Sequence, residues 1–237
     1  MLAVAVSTGS ALAHAYPKTS DPAPNARLDA APAHLGITFD SPLDQRGSSM
    51  LLLDSTGSVA ATTPDQVDGN TRTSISPATD LAPGPYTVAW TSASAEDGHA
   101  AQGFYTFVVN GGPVGILNGL AQAQTPAADL MATLTVTTAS DGGSLLRVDL
   151  SNTAGVERVR IRLSRPDLGE DLLDTHPSGD GGWVLDGNEV ALPGAWQAVV
   201  IARRTNIFDD AMGTFGFTVD PGSGAPAFLS ANGGAAD

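Results

Sequence analysis

The 237-residue sequence predicts an all-β protein: two β-sandwich domains, Greek-key and immunoglobulin-like, joined by a linker. Three observations lead there. Charged residues are only 15% of the chain, with 27 Gly and 16 Pro, a mix that favours short strands and many turns over long helices. Several short segments alternate apolar and polar residues with a period of two. An uncharged stretch near the middle separates two such groups of segments.

Taken in order, the segment Tyr16 to Asp29 is rich in turn residues. Leu35, Ile37 and Phe39 then alternate as in a half-buried strand. Met50-Leu51-Leu52-Leu53 is a short apolar run closed by Asp54-Ser55-Thr56-Gly57. After the turn Pro83-Gly84-Pro85, Tyr86, Val88 and Trp90 alternate, which sets Trp90 in the core. Tyr105, Phe107 and Val109 form the next strand, ending at Asn110-Gly111-Gly112.

Residues 111–128 carry no charge and read as the linker, with a short docking helix around Ile116, Leu117 and Leu120 as the alternative. Beyond it, Leu134 and Val136 open a second β-rich unit. Leu146, Val148 and Leu150 alternate with Arg147 and Asp149. Val159, Ile161 and Leu163 alternate with Arg158, Arg160 and Arg162, so one face of that strand is basic and solvated. Trp196 to Ile201 and Phe215 to Val219 complete the pattern. The expected domains are therefore 14–110 and 129–220, with 221–237 a disordered tail.

The formal net charge is −14, which repels polyanions and excludes nucleic acid as a partner. There is no cysteine, so disulfides, thiolate metal sites and cysteine nucleophiles are excluded together. Residues 1–13 are small and apolar and end in Ala11-Leu12-Ala13, an A-x-A cleavage signature. They read as the end of an export leader that is removed, so the mature protein is expected in the periplasm or another extracytoplasmic space. The segment is too short to span a bilayer, and no other stretch is long and apolar enough, so the chain is not itself transmembrane. Serine-nucleophile, phosphate-loop and zinc-protease signatures are absent, and no catalytic residue is assigned.

Cleavage after Ala13 has a chemical consequence. It frees the α-amine of His14, and that amine and the His14 imidazole chelate a metal in one ring. The ordinary pKa of an α-amine is about 8, so a metal displaces its proton easily at neutral pH. A second candidate pair lies in Asp97-Gly98-His99. In extended backbone, residues i and i+2 point the same way, so the carboxylate and the imidazole can converge. Three nitrogens and one oxygen suit Cu(II) and, less well, Ni(II). Zinc prefers a tetrahedral set and calcium needs more oxygens. The expected centre is one Cu(II) per chain, held by His14, Asp97 and His99.

The motifs around these residues carry a family resemblance. The run His14-Ala15-Tyr16-Pro17 with Ser20-Asp21-Pro22-Ala23 resembles the start of the mature copper-resistance CopC family. Ala31 to Phe39, Leu81 to Trp90, Ser94 to His99 and Gly103 to Phe107 resemble its successive motifs. The resemblance spans 14–110 and implies a Greek-key barrel or sandwich that binds Cu(II) outside the cytoplasm in copper resistance and homeostasis. It implies the same ligands, His14, Asp97 and His99, and as a partner a CopD-like membrane copper transporter. Some members add a methionine-rich loop for Cu(I). Here Met1, Met50, Met131 and Met212 are scattered, so soft thioether ligation is not expected and core packing is their assigned role. Less specifically, Gly194 to Arg204 and Phe215 to Val219 resemble the YtkA-like domain of CopC–CopD fusions.

Two other functions stay open at this point. A copper held by an N-terminal histidine also occurs in oxidative polysaccharide-cleaving enzymes, which need an open coordination position and an aromatic surface; here aromatics are 5% and Asp97 fills a position. A metal-free adhesion or scaffold module is the other. His34 is assigned to the surface, and His176, near Asp171, Asp174 and Asp180, to adventitious metal contact at most.

Overall fold

The computed structural model describes residues 15–63, 66–68, 71–76, 80–110 and 116–229. His14, residues 1–13 and residues 111–115 lie outside them. The described residues contain strands and turns and no helix.

The amino-terminal unit has eight strands: β1 (Pro17–Asp21), β2 (Arg27–Leu28), β3 (Leu35–Phe39), β4 (Ser49–Leu53), β5 (Gln66–Asp68), β6 (Arg72–Ile75), β7 (Gly84–Ala93) and β8 (Ala100–Val109). They form two four-stranded sheets, in the orders β1-β3-β6-β5 and β2-β8-β7-β4. The alternation read from the sequence explains the packing. Leu35, Ile37 and Phe39 from one sheet meet Leu52, Val88, Trp90 and Phe107 from the other. Burying each such side chain stabilises by about 1.5–3 kcal/mol. Trp90 is in this core, its ring edge-on to Phe39 with centroids 5.6 Å apart.

The second unit has ten strands: β9 (Leu117–Ala127), β10 (Leu130–Ala139), β11 (Ser144–Leu150), β12 (Val156–Arg165), β13 (Gly169–Asp174), β14 (His176–Pro177), β15 (Trp183–Gly187), β16 (Gly194–Arg204), β17 (Ala211–Val219) and β18 (Pro226–Phe228). These form two five-stranded sheets, β14-β15-β11-β10-β9 and β13-β12-β16-β17-β18. Val159, Ile161 and Leu163 face inward and are fully buried, as their alternation with arginines requires.

Two expectations are corrected here. The segment expected to be a linker or docking helix is mostly strand β9, antiparallel to β10 from Leu117↔Ala139 to Ala127↔Leu130. Its inward positions are small, among them Ala121, Ala123 and Ala127, because β9 closes against β17 and β18. A Cβ built on Gly119 would stand 3.1 Å from the Ala225 Cβ, and one on Gly213 would stand 2.7 Å from the Thr125 methyl. Such close approach selects small residues and so weakens the hydrophobic signal that marks a strand. Ile116, Leu117 and Leu120 are exposed. The expected tail also begins with structure, since β18 pairs with β17 and Phe228 packs against Phe215 and Phe217. Residues 230–237 lie outside the described residues.

The two units share apolar packing. Leu53 and Phe104 of the first belong to the core cluster of the second. Polar contacts cross as well: the Asn25 side-chain amide donates to Glu189 Oε1 at 2.5 Å, the Asn188 N–H donates to Asn25 Oδ1 at 2.9 Å, and Arg27 pairs with Asp141 at 2.9 Å.

Candidate metal centre

Strands β7 and β8 are joined by a tight turn, residues 94–99, that carries Asp97 and His99. The Ser94 N–H donates to the His99 carbonyl and the Gly98 N–H to the Ser94 carbonyl, each at 2.9 Å. Gly98 has φ +73°, a left-handed conformation that costs an L-residue energy and suits glycine. The loop that follows β3 braces this turn from the side. The Ala95 N–H donates to the Pro42 carbonyl at 2.9 Å, and Leu43 bridges to Ser94.

Within the turn the two side chains meet. Asp97 Oδ2 lies 3.0 Å from His99 Nδ1, and Asp97 Oδ1 accepts the His99 backbone N–H at 3.1 Å. The His99 side chain is 46% exposed and that of Asp97 25%. Hydrogen bonding to the charged form holds the Asp97 carboxyl down at about 2, with the His99 backbone N–H the largest cause and the Ser94 hydroxyl and His99 ring adding to it. Asp97 is therefore an anion across the whole range in which a metal would bind.

The segment just after His14 is tied to the same end of the hairpin. Ala15 is fully buried, and its carbonyl accepts the Ser92 hydroxyl at 2.6 Å. The Tyr16 N–H donates to Asp40 Oδ1 at 2.9 Å, and the Asp40 N–H donates to the Tyr16 carbonyl at 3.0 Å. The structure thus brings Asp97 and His99 together, while His14 itself lies outside the described residues. Among the described residues no group of three His, Cys, Asp or Glu side chains could hold a metal. A carboxylate beside an exposed imidazole does fit Cu(II), for which mixed nitrogen and oxygen donors are suited.

The other sequence candidates stand apart. His34 is exposed, with Nδ1 2.7 Å from the Ser76 hydroxyl. His176 is 3.6 Å from Asp186, whereas Asp180 is held by Arg147 and Asp171 lies on edge strand β13 opposite buried Leu163, so the acidic neighbours read from the sequence do not gather around His176. Met50 is a core residue, but Met131 and Met212 are exposed, which corrects the core-packing expectation for those two.

A feature the motifs did not reveal is a cleft of about 1120 Å³ between the units, lined among others by Tyr16, Ala100, Tyr105, Asp171 and Trp196. The Tyr105 hydroxyl in it is buried and has no hydrogen-bond partner. No local sequence signal marks it, because its walls come from strands of both units.

Residues 17–110 match the family model of the CopC domain. Among solved structures, CopC from Methylosinus trichosporium OB3b is 27% identical, with a TM-score of 0.37, the likeness covering 41% of this chain and 94% of that one. PcoC, a methionine-rich copper resistance protein from Escherichia coli, is also 27% identical, with a TM-score of 0.38, covering 41% of this chain and 99% of that one. No curated protein matches the chain.

Proposed function

We propose that the amino-terminal unit captures one Cu(II) ion per chain outside the cytoplasm, through His14, Asp97 and His99, in copper resistance or homeostasis. The observation that carries this reading is the Asp97–His99 pair, a carboxylate and an exposed imidazole 3.0 Å apart on one braced turn. The CopC domain match over 17–110 supports copper as the metal. The clamp on Ala15 and Tyr16 supports His14 as the third residue, since the two halves meet at one end of the same hairpin.

In this reading cleavage after Ala13 frees the His14 amine, which with the His14 imidazole supplies a chelate. His99 Nδ1 would supply a third nitrogen and Asp97 Oδ2 the oxygen, their 3.0 Å separation being that of two neighbouring donors on one ion. The metal is cargo and undergoes no chemistry there. Its recipient would be a separate membrane importer of CopD type. Among the described residues no helix is long and apolar enough to cross a membrane. The second unit, read as YtkA-like, would take no direct part in ligation.

The test is Cu(II) titration, followed by electron paramagnetic resonance, on protein beginning at His14 and on protein extended by one residue. Extension should abolish the amine donor and weaken binding strongly, and His99→Ala should do the same while His34→Ala should not. Equal affinity with and without the extension would overturn the proposed ligand set.

A further inference from the structure

We infer that Ser92 and Asp40 are positioning residues for the copper centre: they clamp Ala15 and Tyr16 and thereby seat the amino-terminal donor against the Asp97–His99 turn. The inference rests on the reading of His14 as a donor.

Ser92 is fully buried and stands next to last in β7, and its hydroxyl donates to the carbonyl of fully buried Ala15 at 2.6 Å. That carbonyl belongs to the peptide bond directly after the one joining His14 to Ala15, so fixing it limits where the preceding residue can go. Asp40 grips the next residue from the other sheet, with a 2.9 Å bond from the Tyr16 N–H and a 3.0 Å bond to the Tyr16 carbonyl. A terminal segment of a domain is ordinarily poorly ordered unless it is tied down. Here two sheets tie it at successive residues.

The second half of the centre hangs from the same strand end. Ser94 is two residues beyond Ser92, so the two side chains leave β7 on one face. Ser94 is also buried, and its hydroxyl accepts the Glu96 N–H at 3.2 Å and hydrogen-bonds Asp97. Ser92 thus holds Ala15, and Ser94 holds the turn that carries Asp97 and His99. The spacing between them is set by two residues of paired strand, with Ser92 opposite Ala101 and Ala93 opposite Ala100. The entropy of ordering the arm is met during folding and is not charged to metal capture, which raises affinity.

The test uses protein beginning at His14, with Cu(II) affinity from competition with a chromophoric chelator, the paramagnetic resonance spectrum, and the apo-protein melting temperature as readouts. Ser92→Ala should lose about 10- to 100-fold in affinity, the usual effect of removing a group that orients a ligand, and should show weakened or mixed nitrogen coupling. Ser92→Thr, which keeps the hydroxyl, should recover the wild-type spectrum, and Asp40→Ala, which removes the acceptor of the Tyr16 N–H, should weaken binding in the same direction. A serine of purely structural importance would lower the melting temperature and leave affinity and spectrum unchanged. That result in Ser92→Ala, with His99→Ala still abolishing binding, overturns the clamp and leaves the metal site standing. If Ser92→Ala fails to fold, Asp40→Ala decides, and wild-type affinity in it overturns the clamp. Wild-type binding by His99→Ala would instead defeat the underlying assignment of the site.

Discussion

Phe104 presents its ring edge to Trp196, with centroids 5.5 Å apart and an angle of 63° between the rings. Phe104 stands five residues after His99 on β8, while Trp196 lies in the core of the second unit, with its indole N–H bonded to the Leu192 carbonyl at 3.0 Å. The strand that leaves the turn of Asp97 and His99 is thus packed into the other unit. Gly103, just before Phe104, allows this approach, since a Cβ there would stand 3.0 Å from the Glu170 carbonyl oxygen and 2.5 Å from the Trp90 ring.

This contact should make unfolding cooperative across the units. Truncating a buried Phe costs about 3–5 kcal/mol. Phe104→Ala is expected to split a single calorimetric transition into two, with the midpoint of at least one lowered. A single unshifted transition would show that the junction is energetically slack.

Asp97 yields a pH prediction with a definite sign. Its carboxyl is held at about 2, so it stays ionised as the pH falls from 7 to 4. Copper must instead displace protons from its nitrogen donors. Cu(II) affinity should therefore fall steeply on acidification. Asp97→Asn should lower it about 10- to 100-fold at every pH without flattening the slope, as read by chelator competition at several pH values.

Asp171 behaves in the opposite sense. Burial pushes its carboxyl up to about 6, helped by the charge of Glu189 and opposed by the Leu172 backbone N–H. Between pH about 4 and 6 the folded state therefore binds more protons than the unfolded state, and stability falls as pH rises through that window. Asp171→Asn should stabilise the fold at pH 7–8 by on the order of 3 kcal/mol, seen as a higher melting temperature, and should have little effect near pH 4. Melting curves at pH 4.5 and 7.5 would check this.

Gly98 supplies a backbone test. A Cβ there meets nothing within 4 Å, so any cost of substitution comes from the φ of +73°. Gly98→Ala should destabilise by about 1–2 kcal/mol and displace His99, weakening Cu(II) binding. Gly98→Asn, which tolerates the left-handed region better, should fall between the two in melting temperature.

Where side chains alternate large and charged, the strands were legible in the sequence. Val159, Ile161 and Leu163 against three arginines left little choice of period, and Tyr86, Val88 and Trp90 did the same for β7. β9 was not legible, because a strand packed tightly against β17 and β18 uses alanine, glycine and threonine, whose burial leaves almost no hydrophobic contrast. β18 was hidden by its brevity, with Phe228 the one large residue in it.

The same division runs through the candidate site. Asp97 and His99 are two residues apart, so their meeting is a local property of one turn, and the sequence by itself determined that they could converge. It also narrowed the possible donors, since a chain without cysteine offers no thiolate. Only the tertiary structure decided what holds the arm, because Ser92 and Ala15 are 77 residues apart and meet through the stacking of two sheets. It alone decided that the second unit reaches the first, through Phe104 on Trp196 and Asn25 on Glu189, the latter pair 164 residues apart. Local pattern records which face of a strand is buried. Which distant strand buries it depends on how the sheets close, and no short stretch of sequence carries that information.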